Sequence, residues 1–381
     1  MILFVYGTTG ELIKLAPVLQ RLSQNGAGYV SATTGQQVEQ IPGLLQSFGL
    51  PQPDVWLARG WRQRDLRRNS DVSGWAVAVA TGFIRRRREM RRTLTSGAGQ
   101  PLVMVHGDTF TTVLGAIMGH LMQVPVAHLE AGLRSFSIWN PFPEEIDRRV
   151  TSALATINYS PGEWAASNLS RGIVVDTGSN TIRDSLGLSA AEVDPSLHLP
   201  ESPFGLVSLH RFELLNNRHV LAETIQLVAA GARKIPLVFV DHPVTVAALT
   251  AFGLSPLLDA PGIYRIPRLP FLSFVPVMRR SSFVFTDSGG NQEECFYLDI
   301  PCLVHRKRTE RRQGLGENVV LSGFDSNVVR DFLSQPERFH RRDSLSDQSP
   351  SDIVVADLIA RRFAVPSSAS VPGTRGEAQS S

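Results

Sequence analysis

The sequence predicts an α/β fold of two domains, each a doubly wound parallel sheet, facing each other across a cleft. Three observations predict it. The 381 residues exceed what one ordinary core holds, the 43% apolar residues can fill two, and in both halves short apolar runs alternate with helical patterns.

The elements follow in order. Ile2 to Tyr6 is a continuous apolar run ending at Gly7-Thr8-Thr9-Gly10, as a buried parallel strand does. Leu12, Leu15, Leu19 and Leu22 fall near helical spacing and predict a helix from Glu11 to Gln24. Strands then read at Tyr29 to Thr33, at Leu102 to Val105 before His106-Gly107-Asp108, and at Val124 to His128 before Glu130-Ala131-Gly132. The second half restarts the pattern at Phe204 to Ser208, Leu237 to Val240, Gly262 to Ile266, Phe283 to Thr286 and Cys302 to His305. A short strand and a Gly-Ser-Asn turn between Arg171 and Asn180 place the boundary there, giving domains 1–172 and 173–350. Ile353, Leu358 and Phe363 lie on a short helix within 351–364, expected to dock back across the domains. The tail 365–381, rich in Ser, Pro and Gly, is expected to be disordered.

Composition narrows the function classes. A net charge of +3 is small for this length. The arginine run Arg85 to Arg92 lacks interleaved aromatics, so it reads as a solvated helix face and not as a nucleic-acid site. Met1 to Tyr6 is too short for a signal peptide, and no stretch approaches the roughly 18 apolar residues of a membrane span. Cys295 and Cys302 alone make neither a disulfide framework nor a four-ligand zinc site. A cytoplasmic, cofactor-poor enzyme is the expectation, with no membrane partner.

Ligands of open α/β sheets sit at the carboxyl ends of the strands, and polar residues gather there. Thr286-Asp287-Ser288-Gly289-Gly290 follows a strand and starts a helix over Asn291 to Leu298. Small residues let backbone approach a phosphate, and free N–H groups meet it with the positive end of the helix dipole. The same pattern also describes an ordinary helix start capped by Asp287 or Ser288. Glu294, one turn beyond Gly290, can accept from ribose hydroxyls. Asp108, Glu130 and Glu144 lie in loops after strands or beside the turn Asn140-Pro141-Phe142-Pro143. Each alone is as easily a cap or a surface charge, but three on one edge suggest acid–base chemistry. His210 ends a strand and reads equally as a hydrogen-bonded or a functional histidine, as do Lys14 and His242 in their own places.

The ordered set is specific. Gly7-Thr8 with Glu11 and Lys14, His106-Gly107-Asp108-Thr109, His128 through Arg134, Pro143-Glu144-Glu145 with Arg148, and Thr286 through Glu294 together resemble the bacterial non-hydrolysing UDP-N-acetylglucosamine 2-epimerases, from Met1 to about Gly323. The resemblance implies a glycosyltransferase-B type fold of two Rossmann-like domains and a homodimer. It implies interconversion of UDP-GlcNAc and UDP-ManNAc without metal or nicotinamide. By motif match it places Ser288, Gly289 and Gly290 at the diphosphate, Glu294 at the ribose and Phe274 at the uracil. Asp108, Glu130, Glu144 and His210 match the catalytic positions, and Lys14 and Arg148 match polar active-site positions.

Such residues suit the chemistry. The C2 proton is not next to a carbonyl, so departure of UDP, giving an oxocarbenium-like state and a 2-acetamidoglucal, must accompany its loss. That needs positive charge at the diphosphate and proton-transfer groups on both faces of the sugar. The chain departs from the family pattern at Thr9, where an active-site arginine is usual, at Gly10, where proline is usual, and at Gln37, where histidine is usual. Gln37 lies in the stretch where bacterial members bind a second UDP-GlcNAc as activator, so altered regulation in a specialised pathway is expected. The rival readings are a hydrolysing relative releasing ManNAc and UDP, a glycosyltransferase on the same frame, and a sugar-nucleotide-binding protein without turnover.

Overall fold

The computed structural model describes residues 1–60, 64–66, 69–136, 143–189, 192–309 and 311–366. In the first half it contains β1 (Ile2–Tyr6), α1 (Thr9–Gln24), β2 (Tyr29–Thr33), α2 (Ile41–Ser47), β3 (Val55–Trp56), α3 (Asn69–Ser96), β4 (Leu102–His106), α4 (Phe110–Met122), β5 (Val126–Leu129), α5 (Glu144–Leu154), β6 (Ile157–Ser160), α6 (Glu163–Ser167), β7 (Ile173–Asp176) and α7 (Ile182–Gly187). The strands form one parallel sheet in the order β3-β2-β1-β4-β5-β6-β7. Strand order reverses between β1 and β4, and that reversal opens a crevice at the carboxyl edge.

The second half holds β8 (Gly205–Ser208), α8 (Phe212–Leu215), α9 (Arg218–Ala232), β9 (Leu237–Asp241), α10 (Pro243–Ala251), β10 (Ile263–Pro267), α11 (Phe271–Arg280), β11 (Phe283–Thr286), α12 (Gly289–Leu298), β12 (Cys302–Val304), β13 (Val319–Leu321) and α13 (Ser326–Ser334). Its parallel sheet runs β10-β9-β8-β11-β12-β13, so the reversal falls between β8 and β11. Both faces of this sheet are covered. Successive side chains of a strand point to opposite faces: Leu237, Phe239, Phe283 and Phe285 enter one core, while Val238, Val240 and Val284 enter the other. Full burial of each such side chain stabilises the fold by about 1.5–3 kcal/mol.

The chain divides into one unit of Met1–Ser185 with the stretch from Gln348 onward, and a second of Leu186–Asp347. Where the sequence placed the boundary at 172/173, the crossing lies at 185/186, because β7 pairs with β6 along its whole length and belongs to the first sheet. The last helix, α14 (Pro350–Ala360), packs on α1 in the first unit. Arg21 pairs with Asp352, the Ser351 N–H donates to Asp184 at 2.8 Å, and Tyr159 Oη donates to Asp357 at 2.8 Å. Of the tail expected from 365, residues 367–381 lie outside the described residues, as do Asn140, Pro141 and Phe142 of the proline-rich turn. Among the described residues no helix is long and apolar enough to cross a membrane. Arg85 to Arg88, Arg91 and Arg92 are exposed on α3.

Candidate functional site

In the first unit the loops after β1 and β4 meet at the strand-order reversal, and Glu11 joins them. Its Oε2 accepts from the N–H groups of Gly7 and Thr8, both at 2.8 Å, and its Oε1 accepts from Thr109 Oγ1 at 2.6 Å. Burial raises the Glu11 carboxyl above its ordinary value against those bonds. Glu11 therefore shapes the loops and is used up in doing so. A Cβ added at Gly7 would stand 2.2 Å from Thr34 Oγ1 and 2.3 Å from Thr111 Oγ1, which is why only glycine fits this close approach.

Around this crevice the structure gathers most of the first-half candidates. Glu130, just past β5, holds a left-handed backbone at φ 64°, costly for a non-glycine residue. The twist buries its carboxylate, which takes the ammonium of Lys14 from α1 and the amide of Asn180, with His106 Nε2 at 3.8 Å. Asp108, after β4, pairs with Arg148 of α5. Glu144 begins that helix, while its neighbour Glu145 is engaged structurally by the Ser135 N–H and Arg149 Nε, each at 2.8 Å. His128 is fully buried, with Nε2 2.7 Å from the Gly107 carbonyl, and burial pushes it down to about 4, so it stays neutral.

Two residues in this region escaped the sequence reading. Asp147 is 7% exposed and lies one turn along α5 from Glu144. Burial, then the nearby Asp108 and Glu144, push it up to about 7. Its i, i+3 spacing from Glu144 was the signal that could have found it. Asn180 carried no such signal, because only the folded chain brings its turn to Glu130. The departures at Thr9 and Gln37 prove to be in contact: Gln37 Oε1 accepts from Thr9 N–H at 2.7 Å and Thr9 Oγ1 at 2.9 Å.

The second unit repeats the device with other residues. Asp287, after β11, accepts from the N–H groups of His210 at 2.9 Å and Arg211 at 2.8 Å, tying the loop after β8 to that after β11. Burial pushes Asp287 up to about 6, opposed by those N–H groups. Ser288 caps α12, its Oγ accepting from the Asn291 N–H at 3.4 Å. The free N–H groups of the first turn, at Gly289 and Gly290, thus carry the positive end of the dipole. A Cβ at Gly290 would meet Ser288 Oγ at 3.5 Å and Glu294 Oε1 at 3.8 Å, ordinary contact, so the glycine leaves room that the fold itself does not require. Glu294 accepts from Asn291 Nδ2 at 2.8 Å.

Beside this helix start lies a cavity of about 390 Å³ lined by His210, His242, Arg268, Phe274, Ser288 and Asn291, among others. The rings of His210 and His242 lie 4.6 Å apart, and His242 Nε2 is 3.0 Å from Ser208 Oγ. Burial, then His242, Arg211 and Arg268, push His210 down to about 3; burial and Arg268 push His242 down to about 4. Neutral imidazoles, a cation and a helix start suit an anion such as a diphosphate. Phe274 offers a flat apolar wall. Arg268 was missed from sequence, being a lone arginine in a proline-flanked loop.

Comparison with known proteins bears on the family of the chain. The sequence profile of the UDP-N-acetylglucosamine 2-epimerase family matches residues 92–349. The chain is similar to a UDP-N-acetylglucosamine 2-epimerase of Yersinia pestis, 30% identical over 355 residues covering 88% of this chain and 89% of the relative. It is also similar to one of Bacillus subtilis, 28% identical over 385 residues and 94% of both. Among solved structures, the Neisseria meningitidis UDP-GlcNAc 2-epimerase bound to UDP-GlcNAc superposes with a TM-score of 0.75 at 26% identity, covering 94% of this chain and 99% of that one.

Proposed function

Because the chain belongs to the UDP-N-acetylglucosamine 2-epimerase family, we propose that it interconverts UDP-GlcNAc and UDP-ManNAc without hydrolysis. UDP leaves to give a 2-acetamidoglucal and then adds back. The observation that carries this reading is the set of carboxyls at the β1/β4 reversal: Glu130 with Lys14, and Asp108 with Arg148 beside Glu144. Each ion pair holds an acid in place at the reversal.

In this reading the second unit holds the nucleotide. The Ser288-Gly289-Gly290 helix start and Arg268 take the diphosphate, Glu294 takes the ribose, and Phe274 packs against the uracil. His210 and His242 lie where departing negative charge develops, and an imidazole N–H there can donate a hydrogen bond to the diphosphate oxygen as it leaves. Asp108, Glu130 and Glu144 move protons at C2, with Lys14 and Arg148 orienting them. The Gln37–Thr9 contact occupies the loop where the family's regulatory ligand is expected, which favours a rate that follows UDP-GlcNAc hyperbolically. Apolar side chains exposed on α3 and α4, Val77, Ile84, Ile117 and Leu121, supply a face for a homodimer. A cytoplasmic location follows from the substrate.

The test is the product mixture from UDP-GlcNAc and purified protein. UDP-ManNAc appearing with no net release of UDP supports the proposal, whereas free ManNAc and stoichiometric UDP make the protein a hydrolysing enzyme.

A further inference from the structure

A helix start that cradles a diphosphate grips any nucleoside diphosphate, because its backbone N–H groups meet only phosphate oxygens. A ribonucleotide differs in the vicinal hydroxyls of its pentose, which donate to an acceptor held at a fixed distance from the phosphates. In the nucleotide placement proposed above that acceptor is Glu294, and a neighbour one turn earlier on α12 sets its aim.

We infer that Asn291 is a positioning residue that aims the Glu294 carboxylate at the pentose hydroxyls, so that the second unit selects a ribonucleoside diphosphate over one lacking those hydroxyls. The inference rests on the placement of the diphosphate at Ser288-Gly289-Gly290 and of the ribose at Glu294 proposed above, and it adds the residue that makes the ribose contact selective.

A chain of hydrogen bonds supports this role. Thr286 Oγ1, at the end of β11, accepts from the Ser288 N–H at 3.1 Å and donates to Asn291 Oδ1 at 3.0 Å. That contact turns the other end of the amide to Glu294, where Nδ2 donates to Oε2 at 2.8 Å. An i, i+3 pair on a helix is by itself an ordinary contact. Here the amide is held from both sides, by a buried strand-end hydroxyl and by a buried carboxylate, so Asn291 cannot turn without breaking both bonds. The second oxygen of Glu294, Oε1, stands 3.8 Å from where a Gly290 Cβ would lie, on the glycine side of the helix start. Each carboxylate oxygen offers two acceptor positions, so a hydroxyl can be received there. A single ester linkage joins the pentose to the nearer phosphate, so a diphosphate on the Gly289 and Gly290 N–H groups brings its pentose to this turn of α12. Asn291 also lines the 390 Å³ cavity with Arg268, Phe274 and Ser288. A carboxylate already held by its neighbour meets a hydroxyl at less cost in ordering than one still free to rotate.

The experiment measures dissociation constants by calorimetry for UDP and for 2′,3′-dideoxy-UDP, with wild type, Asn291→Ala, Glu294→Ala and the double variant. The ratio of the two constants within one protein is the readout, since a loss of stability or of diphosphate binding moves both ligands alike. Wild type is expected to prefer UDP by about 30- to 100-fold, as a charged acceptor discriminates against missing hydroxyls. Asn291→Ala is expected to reduce that preference to below about tenfold and Glu294→Ala to below about fivefold, with the double variant no lower than Glu294→Ala, because the two residues act as one. A full preference in Asn291→Ala where Glu294→Ala has lost it overturns the inference and leaves the nucleotide placement standing, and so do losses that add in the double variant. A wild-type protein without the preference, or a Glu294→Ala protein that keeps it, overturns the placement and the inference with it.

Discussion

The two sheets share a strand order and a construction principle but bury opposite kinds of group at their reversals. In each, a carboxylate ties two loops together: Glu11 accepts from β1-loop N–H groups and from the Thr109 hydroxyl after β4, and Asp287 after β11 accepts from N–H groups after β8. The other polar groups at each reversal differ. The first unit is left with Asp108, Glu130, Glu144 and Asp147 against Lys14 and Arg148; the second with His210, His242, Arg268 and a glycine-bearing helix start. The frame sets where a ligand goes, and the few side chains the frame does not use set the chemistry.

That contrast predicts variants that separate turnover from binding. The largest effect is expected of Glu130→Gln, which keeps the size of the side chain but removes its charge. It lowers kcat by about a thousandfold, while the dissociation constant for UDP by calorimetry stays unchanged. A comparable loss of UDP affinity would erase the division of labour between the units.

Next come two glycines, Gly290 and Gly7, which sharpen it. Gly290→Ala places a methyl where the fold has space but the diphosphate is proposed to lie, so UDP affinity falls by about tenfold or more with no loss of thermal stability. Gly7→Ala drives a methyl into Thr34 and Thr111, costing about 1–3 kcal/mol and lowering the melting temperature by roughly 2–10 °C.

A smaller effect concerns protons taken up on binding. His210 and His242 are held neutral in the free protein, and a diphosphate beside them raises both towards their ordinary value. UDP binding near pH 5.5 is therefore accompanied by proton uptake, seen as a dependence of the binding enthalpy on the buffer's ionisation enthalpy. Proton release would mean the anion sits elsewhere.

The smallest lies in stability. His128 has a folded value depressed to about 4, so its contribution is fully present above the ordinary value near 6.5 and is lost as pH falls from there towards 4. Chemical denaturation across that window should show the decline, and His128→Asn should flatten it.

The sheets were legible because buried parallel strands are continuous apolar runs, and Ile2–Tyr6, Tyr29–Thr33 and Phe283–Thr286 have the bounds expected of them. The brief β3 and β13 were not, since two or three residues carry too little pattern, and β6 is interrupted by the polar Asn158 and Ser160. Site residues in ordered motifs, such as Asp108, Glu130 and Ser288, could be named in advance. Asn180 and Arg268 could not, because their surroundings come from residues far along the chain, and Asp147 was missed although its spacing from Glu144 was readable. The motif reading also named Glu11 and Asp287 without showing that the backbone would occupy them. Nor could it show that Thr9 and Gln37, each a departure alone, touch one another.

The central claim, that carboxyls of the first unit exchange the C2 proton while the second holds the nucleotide, is tested most directly by proton NMR of UDP-GlcNAc with the protein in D₂O. The account predicts solvent deuterium at C2 together with new manno signals and UDP still attached to sugar. Substrate that binds and keeps its C2 proton indefinitely would contradict it.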